Sequence, residues 1–217
     1  VFKLIKIFYK NTYSHVYILD KVNKTALAAR LSGVKNIIGP GIGNQKKWLT
    51  INKFLTNEDY KMSYTEQSQK LLSINSINLN SIYPEIEVDT RRYKKNNSDL
   101  IISGKKVSFG IDSFEDYKMW YEDYFIQLAD KLYQKKMFDY IYLICGPDKS
   151  YLADNIIEKS KRNYFINCSK KDLGGVVLAI KKSNFFVGNN SGPLNLAAAL
   201  KIQSFGLIAN DPVDELK

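Results

Sequence analysis

The sequence predicts an α/β protein built on parallel sheets, and three observations carry that expectation. From Lys106 onward, short apolar runs of strand length alternate with segments whose apolar residues recur at helical spacing. One of the runs, YIYLICG (140–146), is continuously apolar, as in a strand covered on both faces, and the helical segments are long enough for right-handed crossovers. The first half shows the same alternation, but incompletely.

In that first half, VFKLIKIFYK (1–10) sets basic residues among apolar ones and reads as an amphipathic helix. HVYILD (15–20) is a strand, a helix carrying Thr25–Leu31 ends at Gly33, and KNIIG (35–39) is a second strand. GPGIGNQ (39–45) is a loop, and Leu71 and Leu72 sit on a helix near 65–73. From about Asn75 to Gly104 the chain is polar, carries Pro84 and RRYKKNNS, and shows no clear period, so it reads as a connection. The expected organisation is a partial Rossmann-like domain at 1–90, a linker at 91–104 and a complete Rossmann-like domain at 105–217.

The second half is clearer. KVSFG (106–110) is a strand, and Trp120, Tyr124, Phe125, Leu128, Ala129 and Leu132 mark a helix ending near Gln134–Lys136. YIYLICG (140–146), YFINCS (164–169), NFFVG (184–188) and IQSFGLI (202–208) are strands. Helices at Tyr151–Lys161, Leu173–Ile180 and Pro193–Leu200 separate them. This is the pattern of a doubly wound sheet.

Composition narrows the class. The chain has 217 residues, 45% hydrophobic and 25% charged, ordinary for a globular protein. Residues 1–100 hold 16 Lys+Arg against 8 Asp+Glu, and residues 101–217 hold 16 against 14, so most of the net +10 lies in the first half. Such a half suits an anionic partner: nucleic acid, a membrane surface or a phosphorylated acceptor. Cys145 and Cys168 each lie in an apolar run and read as buried thiols, which fits a cytoplasmic protein. No run reaches the roughly 18 apolar residues that a membrane span needs. No small-residue cleavage site follows the first ten residues.

Chemistry is expected where strands of such a sheet release the chain into loops. In FFVGNNSGPLNLAAAL (185–200) an apolar strand ends at Gly188, Asn190 and Ser191 offer capping oxygens, and Pro193 opens an Ala-rich helix. The helix N-terminus presents amide hydrogens and positive potential, which suits an anion, and Gly192 leaves room for one. In IDSFEDYKMW (111–120), Ser113 supplies a hydroxyl and Lys118 a charge, although Glu115 and Asp116 can pair that lysine. In CGPDKS (145–150), Asp148 can cap a helix or accept from a ribose hydroxyl. The single histidine, His15, opens a strand, so a Ser-His-Asp triad would need it. Neither a P-loop nor a GxGxxG motif occurs. Glu85, Glu87 and Asp89 would share one face of an extended strand, where three carboxylates could hold a divalent metal or form a solvated acidic patch. No aromatic-basic platform supports a nucleic-acid partner.

Three separated segments resemble glycosyltransferase family 9, the ADP-heptose:lipopolysaccharide heptosyltransferases. GNNSGPLNLAAAL followed by QSFGLIANDP (203–212) is similar to that family's GNDSGPxHLAAA segment, strand and FGPTDP-like turn. SFEDYKMWYEDYFIQLAD (113–130) resembles its Ser/Thr-rich loop, K-x-W-P and F-x-x-L-A helix. SHVYILDKVNKTALAARLSGVKNIIG (14–39) resembles its YDLVIDL…SALLARLAGA…RIG stretch. The resemblance implies a GT-B-like architecture of two Rossmann-like domains, the N-terminal one incomplete here. It implies inverting, metal-independent transfer of a heptose-like sugar from an ADP-sugar or other nucleotide-sugar, which is a substrate and not a cofactor. Carried over by position, Ser113 and Lys118 would contact the donor diphosphate. Asn190, Ser191, Gly192, Pro193 and Asn195 would line the phosphate and sugar pocket, and Asp148 would serve the ribose. The acceptor would be a phosphorylated glycolipid of the lipopolysaccharide core, with the bacterial enzyme cytoplasmic and peripheral on the anionic inner membrane. The family's Asp and His stand here as Asn190 and Asn195. Its catalytic Asp follows a first strand without counterpart in this chain, and its C-terminal helix is also without one, leaving Asp20 as the stand-in base. A catalytically silent nucleotide- or sugar-binding member is the alternative expectation.

Overall fold

Helix α1 (Phe2–Asn11) packs on α2 (Asn23–Leu31), and Ser32 at the end of α2 donates its hydroxyl to the Ile5 carbonyl at 3.2 Å. Between them runs β1 (His15–Tyr17), parallel to β2 (Asn36–Ile38), with His15 opposite Asn36. The computed structural model describes residues 1–79, 81, 83–94 and 97–208. The chain falls into two units, Val1–Tyr83 and Pro84 onward.

In the first unit, Ala26 and Ala29 of α2 bury against Ile18, Ile37 and Leu49. The run HVYILD makes a shorter ladder than its length suggests. Ile18 still donates to the Ile38 carbonyl, but the Asp20 carboxylate then accepts the Val22 N–H at 2.9 Å and turns the chain into α2. Helix α3 (Tyr64–Ile74) starts with a capping box, in which Ser63 and Glu66 satisfy each other's backbone N–H. It buries Leu71 against Ile38 and Leu55.

The second unit contains α4 (Arg91–Lys94), β3 (Lys106–Gly110), α5 (Glu122–Gln134), β4 (Tyr140–Ile144), α6 (Ser150–Ser160) and β5 (Phe165–Asn167). Helix α7 (Leu173–Lys181), β6 (Phe185–Asn189), α8 (Gly192–Ala199) and β7 (Ser204–Leu207) complete it. The five strands are all parallel in the order β5-β4-β3-β6-β7. Alternate strand residues feed two cores. Phe109, Ile141 and Leu143 meet Phe125 of α5 and Ile156 of α6. Tyr142, Ile144 and Phe186 meet Leu178 of α7 and Ala197 of α8. Strand β3 is buried at every position, its polar Lys106 and Ser108 included.

Residues 84–104, polar and without period, belong to the second unit. Ile86 donates its N–H to the Ala199 carbonyl at 3.0 Å. The buried Tyr142 hydroxyl donates to the carbonyl of the fully buried Leu100 at 2.7 Å. The ANDP turn, residues 209–212, lies outside the described residues.

Candidate functional site

The sheet reverses its order beside β3. From β3 the chain adds β4 and then β5 on one side, then returns through α7 to place β6 on the other side. The crevice beyond the carboxyl ends of β3 and β6 is therefore the topological switch point, the usual ligand position in an open α/β sheet. The loops leaving those two strands are 111–121 and 190–191. Gly110 and Gly188 are register partners at this exit, and a side chain on Gly188 would meet the Gly110 backbone at 2.8 Å.

Asn189 ties the two loops together. It is fully buried, and its Oδ1 accepts the Trp120 N–H at 2.9 Å. Ser113 is buried nearby and donates its hydroxyl to the Asn190 carbonyl at 3.5 Å, so these two expected site residues are brought together. Helix α8 begins without a side-chain cap. Ser191, offered by the sequence as a cap, instead donates its hydroxyl to the Asn189 carbonyl at 3.2 Å, because its extended backbone points the side chain back along the strand. Pro193 occupies the first turn and brings no N–H, and the space where Gly192 would carry a side chain is open. Asn195, one turn into α8, is exposed.

Lys118 follows a short turn and forms an ion pair with Glu115 at 2.8 Å, over the Tyr117 ring. Asp148 is exposed in the turn before α6, where no side-chain cap forms, and it lies against Gly146. Asp20 belongs to the first unit, where its carboxylate holds the Val22 N–H.

Several residues that shape the site were not singled out by the sequence. Lys149 donates to the Ser113 carbonyl at 2.7 Å and to Asp116 at 3.2 Å, and lies 3.4 Å from Asp112 Oδ1. Partial burial opposes its charge, but the bond to Asp116 and the field of Asp112 more than offset that, so its pKa lies above the usual lysine value. Asp112 Oδ2 accepts the Gly146 N–H at 3.1 Å. The available signal was positional: both residues lie on segments that leave strand ends, Asp112 after β3 and Lys149 between β4 and α6. Among the described residues, the buried side-chain atoms Asp112 Oδ1, Ser169 Oγ and Asn189 Nδ2 make no hydrogen bond, although Asp112 Oδ1 is ion-paired with Lys149 at 3.4 Å. Asp112 follows β3, Ser169 follows β5 and Asn189 ends β6, so all three lie at the carboxyl edge.

The remaining candidates are structural. Burial, reinforced by the field of Asp112, pushes the Cys145 thiol up to about 12, and burial does the same for Cys168. Neither is a nucleophile at neutral pH. Glu85 pairs with Lys201 at 3.0 Å and Asp89 with Arg91 at 2.9 Å. Among the described residues no group of three His, Cys, Asp or Glu side chains could hold a metal ion, and no helix is long and apolar enough to cross a membrane.

The model of glycosyltransferase family 9 (heptosyltransferase) matches residues 1–215. The structure of E. coli ADP-heptose lps heptosyltransferase II is similar with a TM-score of 0.78 at 18% identity, over 98% of this chain and 67% of that one. The family 9 glycosyl transferase of Veillonella parvula DSM 2008 gives 0.73 at 15% identity, over 94% and 60%. E. coli heptosyltransferase WaaC with ADP-2-deoxy-2-fluoro heptose gives 0.68 at 18% identity, over 98% and 72%. No curated protein sequence matches. The chain thus spans 60% to 72% of the length of these solved chains. At such identities the likeness is one of fold: α/β with two parallel sheets, as in the GT-B heptosyltransferases, and partial relative to them. The family model, in contrast, runs through nearly every residue of both units, and so the chain belongs to glycosyltransferase family 9.

Proposed function

We propose that the switch point of the second unit binds the diphosphate of a nucleotide-sugar, with ADP-heptose or a similar ADP-sugar as donor. One observation carries this reading: among the described residues, the buried Asn189 Nδ2 at the carboxyl end of β6, beside the switch point, has no hydrogen-bond partner. Buried polar groups are normally satisfied, so this orphaned amide at the switch point fits a polar ligand completing the site. The uncapped start of α8 and the open space at Gly192 provide the anion side of that site.

The reaction is transfer of a heptose-like sugar, with inversion and without a metal, to a phosphorylated glycolipid of the lipopolysaccharide core. The departing diphosphate carries the developing charge, and the α8 N-terminus together with Lys118 and Ser113 stabilises it. Asn190, Ser191, Pro193 and Asn195 line the sugar side, and Asp148 faces the ribose. A base must reach the acceptor hydroxyl, and Asp20 is the candidate within this chain. The excess positive charge of the first half, 16 basic against 8 acidic residues, suits both the phosphorylated acceptor and the cytoplasmic face of an anionic membrane. A silent, donor-binding member is favoured by one observation: Asn190 and Asn195 hold no titratable group beside the proposed sugar.

Calorimetric titration with ADP tests the site. Lys118→Ala should weaken ADP about ten- to a hundredfold, the worth of one charge-assisted bond, while Asp20→Ala leaves it unchanged. Equal affinity in wild type and Lys118→Ala removes Lys118 from the site. Release of free sugar or transfer from ADP-heptose then separates the active reading from the silent one.

A further inference from the structure

A second concavity of the same unit, about 500 Å³, opens between the start of α5 and the face of α6. Its floor is apolar, made by Ile111, Phe125 and Ile156. Its walls carry Trp120, Tyr121 and Tyr151, and the last two rings are 75% and 51% exposed. Large rings left in water around one hollow are costly to solubility and mark binding surfaces. The volume and the mixture of apolar floor with few polar groups match a small-molecule site.

The polar groups select the ligand. Asp116, Glu122 and Asp123 line the concavity, so hydrogen-bond acceptors predominate. Each carboxylate already has a cation: Lys149 lies 3.2 Å from Asp116, and Lys159 lies 2.9 Å from Glu122 and 3.2 Å from Asp123. Near-balanced charge leaves spare lone pairs without a strong field. That combination suits neutral hydroxyl donors better than an ammonium group, and the excess of carboxylates over lysines disfavours phosphate. Exposed aromatic faces complement the C–H faces of a pyranose ring. We propose that this concavity is a carbohydrate subsite for an unphosphorylated pyranose unit, sharing loop 111–121 with the diphosphate site but lined by none of its proposed phosphate contacts. The glycosyltransferase reading supports the choice of ligand class, but the lining argues for it independently.

Saturation-transfer NMR on the whole chain, with mannobiose, maltose and chitobiose as probes, tests it. At least one disaccharide should bind, and Tyr121→Ala and Tyr151→Ala should each weaken it about tenfold, the worth of one aromatic contact. Tyr151→Ala, on α6 and outside loop 111–121, should leave ADP affinity unchanged, and both substitutions should leave the melting temperature unchanged, since both side chains are exposed. The inference is overturned if none of the three sugars binds, if neither substitution affects binding, or if mannose 6-phosphate binds more tightly than mannose. ADP titration of the same samples keeps the two sites apart. ADP binding without sugar binding sinks this subsite alone, and sugar binding without ADP binding sinks the nucleotide reading alone.

Discussion

Asn189 has one half of its amide in use. Its Oδ1 holds the Trp120 N–H, and its buried Nδ2 has no partner. Asn189→Leu would leave the Trp120 amide unsatisfied, so urea unfolding should show a loss of about 1–3 kcal/mol. ADP affinity should fall with it, because the loop bearing Ser113 and Lys118 loses its tie to β6. The thiols predict a pH dependence. Burial pushes the Cys145 and Cys168 thiols up to about 12, from an ordinary thiol value of 9.0. The folded state thus holds these protons more tightly than the unfolded chain, so their contribution to stability is complete below pH 9 and is lost as pH rises toward 12. Thiol labelling at pH 8 should be silent in native protein and count two groups in denaturant. Rapid labelling of native protein would contradict the burial.

At the scale of elements, the close approach of β3 and β6 depends on Gly110 and Gly188. Gly188→Ala places a methyl group 2.8 Å from the Gly110 backbone, and backbone cannot step aside as a flexible side chain can. A cost of about 1–3 kcal/mol is expected from such overpacking, read as a lower melting temperature. ADP affinity should fall as well, because the strain sits at the rim. The elements that the sequence made legible are those whose apolar residues are contiguous or periodic. KVSFG matches β3 residue for residue, and the Trp120–Leu132 pattern matches α5 to within a turn. The stretch 84–104 was opaque because Ile86 and Leu100 dock singly, through partners more than forty positions away, such as Ala199 and Tyr142. The site divides in the same way. The segments 113–118 and 190–195 were legible as strand exits because each follows an apolar strand. The parts played by Asp112, Lys149 and Asn189 could not, since Asn189 and Trp120 are 69 residues apart and only the sheet order brings them together.

For the whole molecule, the unit boundary sharpens the charge asymmetry. Residues 1–83 hold 12 Lys+Arg against 4 Asp+Glu, leaving 20 against 18 for the rest. Cosedimentation with phosphatidylglycerol vesicles should therefore be measurable at low salt, decline steeply as ionic strength rises, and vanish with phosphatidylcholine alone. Binding that ignores salt would point away from electrostatic attachment. The strand order has a further consequence during biosynthesis. Strand β3 leaves the ribosome 75 positions before its neighbour β6 begins, counting from Gly110 to Phe185. At ~5–20 residues per second, that interval is on the order of 4–15 s. Throughout it, one side of a strand buried at every position in the folded protein lacks its ladder. Nascent chains stalled before Phe185 are thus the species most prone to clump, and the return of the chain through α7 is the event that ends their vulnerability.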